Sequence, residues 1–222
     1  ELHVMPSYLE THYTRDEFSE TDYPQLLCDH IVSHYIESHY DDISEKTILD
    51  VGCGKGNHLV AFARRGLNAC GLDKLQESNE ALDQFDIREC DLEKDPFPFE
   101  NDSLDIVFSK SVIEHVANAD NFLTETKRVL KPGGLVILMC PDWKTQAHMY
   151  WDDYTHVKPW TRKGLQNALK IYNFQKIESN LFRQLPLLWK YPVLERLSDL
   201  IALAPESWKW KDKDESEFRE WI

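Results

Sequence analysis

Apolar residues along this chain recur first at helical spacing and then in short β-branched runs. From Pro24, Leu27, Ile31 and Tyr35, with Val32 and Ile36 beside them, fall three to four positions apart. This spacing predicts an amphipathic helix that fades at Asp41-Asp42-Ile43-Ser44. Beyond it, short runs at 47–51, 69–72, 86–90, 104–109 and 135–140, most of them apolar, predict five strands. Helical spacing returns at 57–65, stopped by Gly66, and at 122–130, stopped by Lys131-Pro132-Gly133-Gly134. Nearly all-apolar strands alternating with helices predict an α/β fold, a doubly wound and mostly parallel sheet with helices on both faces. Its strand-to-strand crossovers should be right-handed. After Pro141 the pattern loosens, and it predicts a helix at 162–169, a strand at 174–179 and an amphipathic helix at 191–203.

Composition narrows the function classes. A chain of 222 residues that is 42% hydrophobic can bury a sizeable core. Its formal charge of −14 opposes general attraction to nucleic-acid phosphates or anionic membranes. The 5 cysteines are scattered, without a CxxC pair, so neither a disulfide framework nor a structural zinc site is expected. Neither a membrane-spanning apolar run nor a signal-peptide pattern stands out, and a cytoplasmic location is expected.

The chemistry starts at Ile48-Leu49-Asp50-Val51-Gly52-Cys53-Gly54-Lys55-Gly56-Asn57, between the first strand and its helix. In a doubly wound sheet this turn lies at the carboxyl edge, where ligands bind. Glycines let the backbone approach a ligand closely. A dinucleotide fingerprint, GxGxxG, requires glycine at position 57, where the chain has Asn57. The spacing reads DxGxGxG instead, and Asp50 is suited to a cationic amine. The second strand ends in Gly71-Leu72-Asp73, where an acid can accept ribose hydroxyls.

The chain resembles class I S-adenosylmethionine-dependent methyltransferases, in the small-molecule, type 11-like branch that includes the ubiquinone-biosynthesis type. The matching pieces are residues 48–56, Gly71–Asp73, Cys90-Asp91-Leu92, Pro96–Pro98 leading into Asp105-Ile106-Val107, residues 109–115 and Leu130–Gly134. They cover roughly residues 45–140 in order. The resemblance implies a Rossmann-like fold with a C-terminal antiparallel element, with S-adenosyl-L-methionine as cofactor and S-adenosyl-L-homocysteine as product. Carried over, Asp50 would hold the methionine amine, and Gly52, Gly54 and Gly56 would pack against methionine and ribose. Asp73 would take the ribose hydroxyls, with Lys74 flanking the adenine. Asp91 would accept from the adenine amino group, Leu92 would donate its backbone amide, and Ser109 would offer its carbonyl. Residues 1–44, with Tyr8, Tyr13 and Tyr23, would form an N-terminal helical segment covering the cofactor site. Residues 45–222 would form the methyltransferase domain, with 141–165 and 180–210 as an acceptor-side insert or lid. The charged tail, residues 206–222, stops where a relative adds a last antiparallel strand, so further C-terminal chain is expected.

Methyl transfer from a sulfonium is an in-line displacement that mainly needs positioning and the exclusion of water. A base is needed only where the acceptor must lose a proton early. His115, just past the fourth strand, and His156, in the aromatic insert, are the candidates. Trp151, Tyr154 and His156 are the candidate acceptor-binding residues. No functional metal is expected: the metal-binding acid of the catechol type stands at the end of the fourth strand, where this chain has Ser109. Asp152, Asp153 and His156 read as a surface cluster. The expected partner is a small molecule bearing a hydroxyl, such as a sugar or natural-product metabolite, met by a monomer or homodimer, with neither nucleic acid nor membrane. A nucleic-acid methyltransferase is the weaker alternative, since Ser109-Lys110-Ser111-Val112 replaces the base-clamping Asn/Asp-Pro-Pro-Tyr. Another alternative is a non-catalytic cofactor-binding partner subunit, which the intact Asp50, Asp73 and Asp91 oppose.

Overall fold

The computed structural model describes residues 23–74 and 82–194. Five strands form one sheet: β1 (Thr47–Val51), β2 (Asn68–Asp73), β3 (Asp86–Glu89), β4 (Leu104–Lys110) and β5 (Leu130–Met139). Their order is β3-β2-β1-β4-β5, and every pairing is parallel. The chain steps outward from β1 to β3 and then returns to the other side of β1. The reversal between β1 and β4 is the switch point where doubly wound sheets bind ligands.

Both faces of the sheet are covered. On one, Ile48, Ile106 and Phe108 pack with helix α1 (Tyr23–Ile31) and helix α2 (Asn57–Arg64), through Leu27, Ile31 and Phe62. The helix of α1 continues through a wider π turn at Val32–Ile36 to Glu37–His39. On the other face, Leu49, Val51, Leu72 and Val107 pack with α3 (Ala119–Val129), through Phe122, Leu123 and Val129. Trp160 and Leu169 extend that layer, the latter from α5 (Arg162–Ile171), which follows the short α4 (Trp143–Gln146). A last described helix, α6 (Pro186–Lys190), returns to the α1 side, where the Tyr23 hydroxyl donates to Gln184 and Trp189 stacks on Phe182.

The five thiols are free; four are buried and Cys140 is half-buried. Burial pushes all of them up, Cys90 to about 11 and Cys70 and Cys140 to about 12.

Three expectations are corrected. Residues 174–179 are not a strand: Asn173 and Lys176 sit at φ 59° and 50°, in the left-handed region that breaks an extended run. The C-terminal antiparallel element is accordingly not found among the described residues. The Lys131–Gly134 turn does not precede β5 but lies inside it. Leu130 pairs with Leu104 and Leu135 with Ile106, so the turn bulges outward between two paired ends. Of the helix expected at 191–203, Pro192–Leu194 forms one 3-10 turn. The remainder lies outside the described residues, as do Tyr8, Tyr13 and the tail.

Candidate active site

The glycine loop leaves β1 and is clamped to β2. The amides of Gly52 and Cys53 donate to the Leu72 carbonyl at 2.7 and 3.0 Å, and the Gly54 amide donates to Asp73 Oδ2 at 2.8 Å. Gly52 and Gly54 take φ of 78° and 48°, left-handed values that glycine adopts without steric cost. Gly56, also left-handed, then caps α2.

Asp50 lies under this loop, 1% exposed. Its Oδ2 has no hydrogen-bond partner among the described residues, and His58 Nδ1 stands 3.7 Å away, beyond hydrogen-bonding range. An ionised carboxylate in such a place is costly unless a cation reaches it. The loop thus covers a buried acid with one oxygen lacking a hydrogen bond, beside open backbone: a Cβ on Gly54 meets nothing within 4 Å.

The other predicted cofactor residues line the same carboxyl edge. Lys74, just past β2, pairs with Asp91 Oδ2 at 3.6 Å. Asp91 follows β3; its Oδ1 accepts from the Glu93 amide at 3.1 Å, and its Oδ2 takes Lys94 at 3.2 Å. These contacts hold its carboxyl below the usual range, with the Glu93 amide the main cause. Leu92 packs against the core, and its carbonyl accepts from Asn121 at 2.9 Å. Ser109, buried at the end of β4, donates its hydroxyl to the Val51 carbonyl at 2.8 Å, tying β4 to the start of the loop.

Past β4, a 3-10 turn at Ile113–His115 meets the insert that carries His156. The Val157 and Lys158 amides donate to the Glu114 carbonyl at 2.9 and 3.1 Å, and Trp160 Nε1 donates to Ile113. These bonds bring the His115 and His156 rings to 4.8 Å. His156 Nδ1 faces the Tyr150 carbonyl at 2.6 Å, which only accepts, so that nitrogen carries the proton. Thr155 Oγ1 donates to Asp153 at 2.6 Å and so accepts from His115 Nδ1 at 2.8 Å. Nδ1 is thus the donor in both rings, and His156 Nε2 stands 3.8 Å from Asp153 Oδ2. Burial, then the neighbouring His156, lowers the His115 pKa and keeps its ring neutral. The Glu114 side chain is fully buried beside them, with neither oxygen hydrogen-bonded among the described residues, and burial pushes it up to about 7. Trp151 and Tyr154 stand apart at the surface, 53% and 73% exposed.

Residues 49–138 match the family described as methyltransferase domain. Over that stretch the chain is similar to S-adenosylmethionine-dependent methyltransferases. It is 33% identical over 120 residues to the ubiquinone biosynthesis O-methyltransferase of Rickettsia typhi, covering 52% of this chain and 49% of that one. With the enzyme of that name from Maricaulis maris it shares 34% over 124 residues, covering 50% and 47%. The chain thus spans about half the length of the curated relatives it matches. Among solved structures, an S-adenosylmethionine-dependent methyltransferase from Mesorhizobium loti matches with TM-score 0.58 and 18% identity, over 74% of this chain and 90% of that one. One from Archaeoglobus fulgidus matches with TM-score 0.55 and 18% identity, over 80% and 86%. These two show the same fold.

The orphaned Asp50 oxygen and the open face of Gly54 are compatible with the cationic amine and the bulk of S-adenosylmethionine. Sequence reasoning missed four residues that shape the site. Glu114 sat within a matched piece but carried no role, and only burial distinguishes it. His58 beside Asp50, Val112 against Gly52 of the loop and Thr155 on His115 act through contacts made by folding, so no local pattern marks them. Among the described residues no helix is long and apolar enough to cross a membrane.

Proposed function

We propose that the protein transfers a methyl group from S-adenosylmethionine to the hydroxyl of a small molecule, such as a sugar or natural-product metabolite. The observation that carries this reading is the buried Asp50 side chain, with Oδ2 lacking a hydrogen bond among the described residues, beneath an open glycine loop, a complement for the methionine ammonium. Asp73, Lys74, Asp91 and the Leu92 amide are assigned to the ribose and adenine, and the carbonyl of Ser109 to the amine. The cofactor supplies a methyl carbon already activated by its sulfonium, so the chain's task is to hold the acceptor in line and keep water out.

On the acceptor side, His115 and His156 each donate through Nδ1, which fixes the ring and leaves Nε2 as the nitrogen that would meet the acceptor. A neutral imidazole so fixed can take the hydroxyl's proton as the new C–O bond forms. Trp151 and Tyr154 are assigned to the mouth of the pocket, where exposed rings can stack on an acceptor. The O-methyltransferase names of the relatives and the −14 charge support a small-molecule acceptor over nucleic acid.

Calorimetry with S-adenosylhomocysteine tests the donor half: wild type binds, and Asp50→Ala and Asp73→Ala do not bind detectably. Unchanged affinity in both would end the assignment. Release of S-adenosylhomocysteine across a metabolite panel tests the acceptor half. His115→Ala and His156→Ala should bind cofactor normally and lose turnover on the acceptor so found, by about 100-fold or more for a base. Full turnover in both removes the histidine role.

A further inference from the structure

The Glu114 carboxylate has an unexplained environment. It is fully buried, neither oxygen is hydrogen-bonded among the described residues, and the mechanism above does not use it. One of its oxygens and one nitrogen from each of His115 and His156 all lie within 4.8 Å of one another. We propose that Glu114, His115 and His156 form a binding site for a divalent first-row transition-metal cation.

Three features support the site beyond proximity. The first is the chemistry of the donors: two imidazoles and one carboxylate suit zinc, iron or manganese rather than calcium. The second is the outer shell. Metal-binding histidines characteristically donate the other ring N–H to a carbonyl or carboxylate, which fixes the tautomer. His156 donates to the Tyr150 carbonyl, and His115 donates to Thr155, which passes the bond on to Asp153. The third is rigidity: the Val157 and Lys158 amides on the Glu114 carbonyl fasten the insert to the turn after β4. With bonds of about 2.0–2.1 Å to zinc, ligand atoms stand roughly 3.3 Å apart, so modest side-chain rotation closes the set.

The sequence pattern pointed away from a metal, because Ser109 replaces the acid known at the end of the fourth strand and because Asp152 and Asp153 were the visible acids near His156. Folding supplies a different carboxylate, Glu114. Three protein ligands leave an open coordination position, as in catalytic rather than structural metal sites. The consequence for catalysis rests on the proposed function. An acceptor hydroxyl oxygen in the open position would lose its proton to solvent more readily, and the two rings would act as ligands rather than as bases.

Cobalt(II) titration of the full chain, first stripped with a chelator, tests the site. The expected result is one saturable equivalent, with visible d–d absorbance and no near-ultraviolet thiolate charge-transfer band. Glu114→Gln and His156→Ala should each weaken binding at least tenfold. Thr155→Val keeps all three ligands and should weaken it about 10–100-fold through the outer shell. S-adenosylhomocysteine calorimetry on the same samples reports folding: cobalt binding lost while cofactor binding persists supports the site. Absence of saturable one-to-one binding, a thiolate band, or undiminished affinity in both Glu114→Gln and His156→Ala would overturn it. Cobalt binding without cofactor binding would sink the methyltransferase reading and leave the metal site standing.

Discussion

Gly52 and Gly54 stand two residues apart in one loop, yet a methyl group would do different things at each. At Gly52 an added Cβ would overlap the Val112 side chain, and φ is 78°. At Gly54 nothing lies within 4 Å, and φ is 48°. Gly52→Ala should therefore destabilise the fold by about 1–3 kcal/mol, as strained left-handed residues do. Part of that loss should return in Gly52→Ala/Val112→Ala, which frees the space but not the dihedral. Gly54→Ala carries left-handed strain of about 1 kcal/mol without a clash, so it should destabilise less than Gly52→Ala and lose cofactor affinity, because its methyl points into the volume assigned to the ligand. Urea midpoints beside calorimetry separate the two, and equal loss of stability would refute the distinction. At this scale the glycines, Asp50 and Asp73 were legible, because loop chemistry needs those residue types at that spacing. His115 and His156 were each legible as candidate bases. Their meeting was not, because the insert's amides on Glu114 bring them together.

Among the elements, the stretch between β3 and β4 has no helix of its own and depends on α3. Glu125 of α3 accepts the Phe97 amide at 2.8 Å and takes Arg128 through Nε and Nη2. Arg128 in turn donates to the Phe97 and Phe99 carbonyls and to Asn101. The Arg128 guanidinium holds the Glu125 carboxyl below its usual range. Since the unfolded chain then takes up that proton first, the pair's stabilisation is present above the ordinary glutamate range, about pH 4.3. It is lost as pH falls through the depressed folded value. Glu125→Gln should lower stability at pH 7 by about 1.5–3 kcal/mol. Denaturant midpoints of variant and wild type should converge below pH 4; a constant gap across that range would rule this out. Strands and helices were legible because β-branched runs and three-to-four spacing report burial directly. The false strand at 174–179 arose because Phe174 and Ile177 are apolar enough to pack on the core while the backbone between them turns left-handed.

For the molecule as a whole, parity along β1 divides the interior. Ile48 joins the α1–α2 layer, whereas Leu49 and Val51 join the α3–α5 layer. Alternation of this kind is how one short central strand holds two cores to the two faces of one sheet, and it was legible as the short β-branched run 47–51. The arrangement beyond residue 138, where the match to the methyltransferase family ends, was less legible, because apolar spacing loosens after Pro141. A net charge of −14 predicts no retention of duplex DNA or structured RNA by the protein in filter binding at low salt. Retention that weakens steeply with added salt would count against a small-molecule acceptor.

The sealed cysteines make the protein its own unfolding gauge. Thiolate is the form that alkylating reagents attack, and burial suppresses it at all five positions. Three of them, Cys53, Cys70 and Cys90, sit in the loop, in β2 and just after β3. Iodoacetamide at pH 8 should leave the native chain almost unmodified and label it in step with opening of the sheet. Mass spectrometry of pulse-labelled samples would then rank which strand opens first, without any introduced probe. Rapid labelling of Cys53 in the folded protein would show instead that the glycine loop opens on its own.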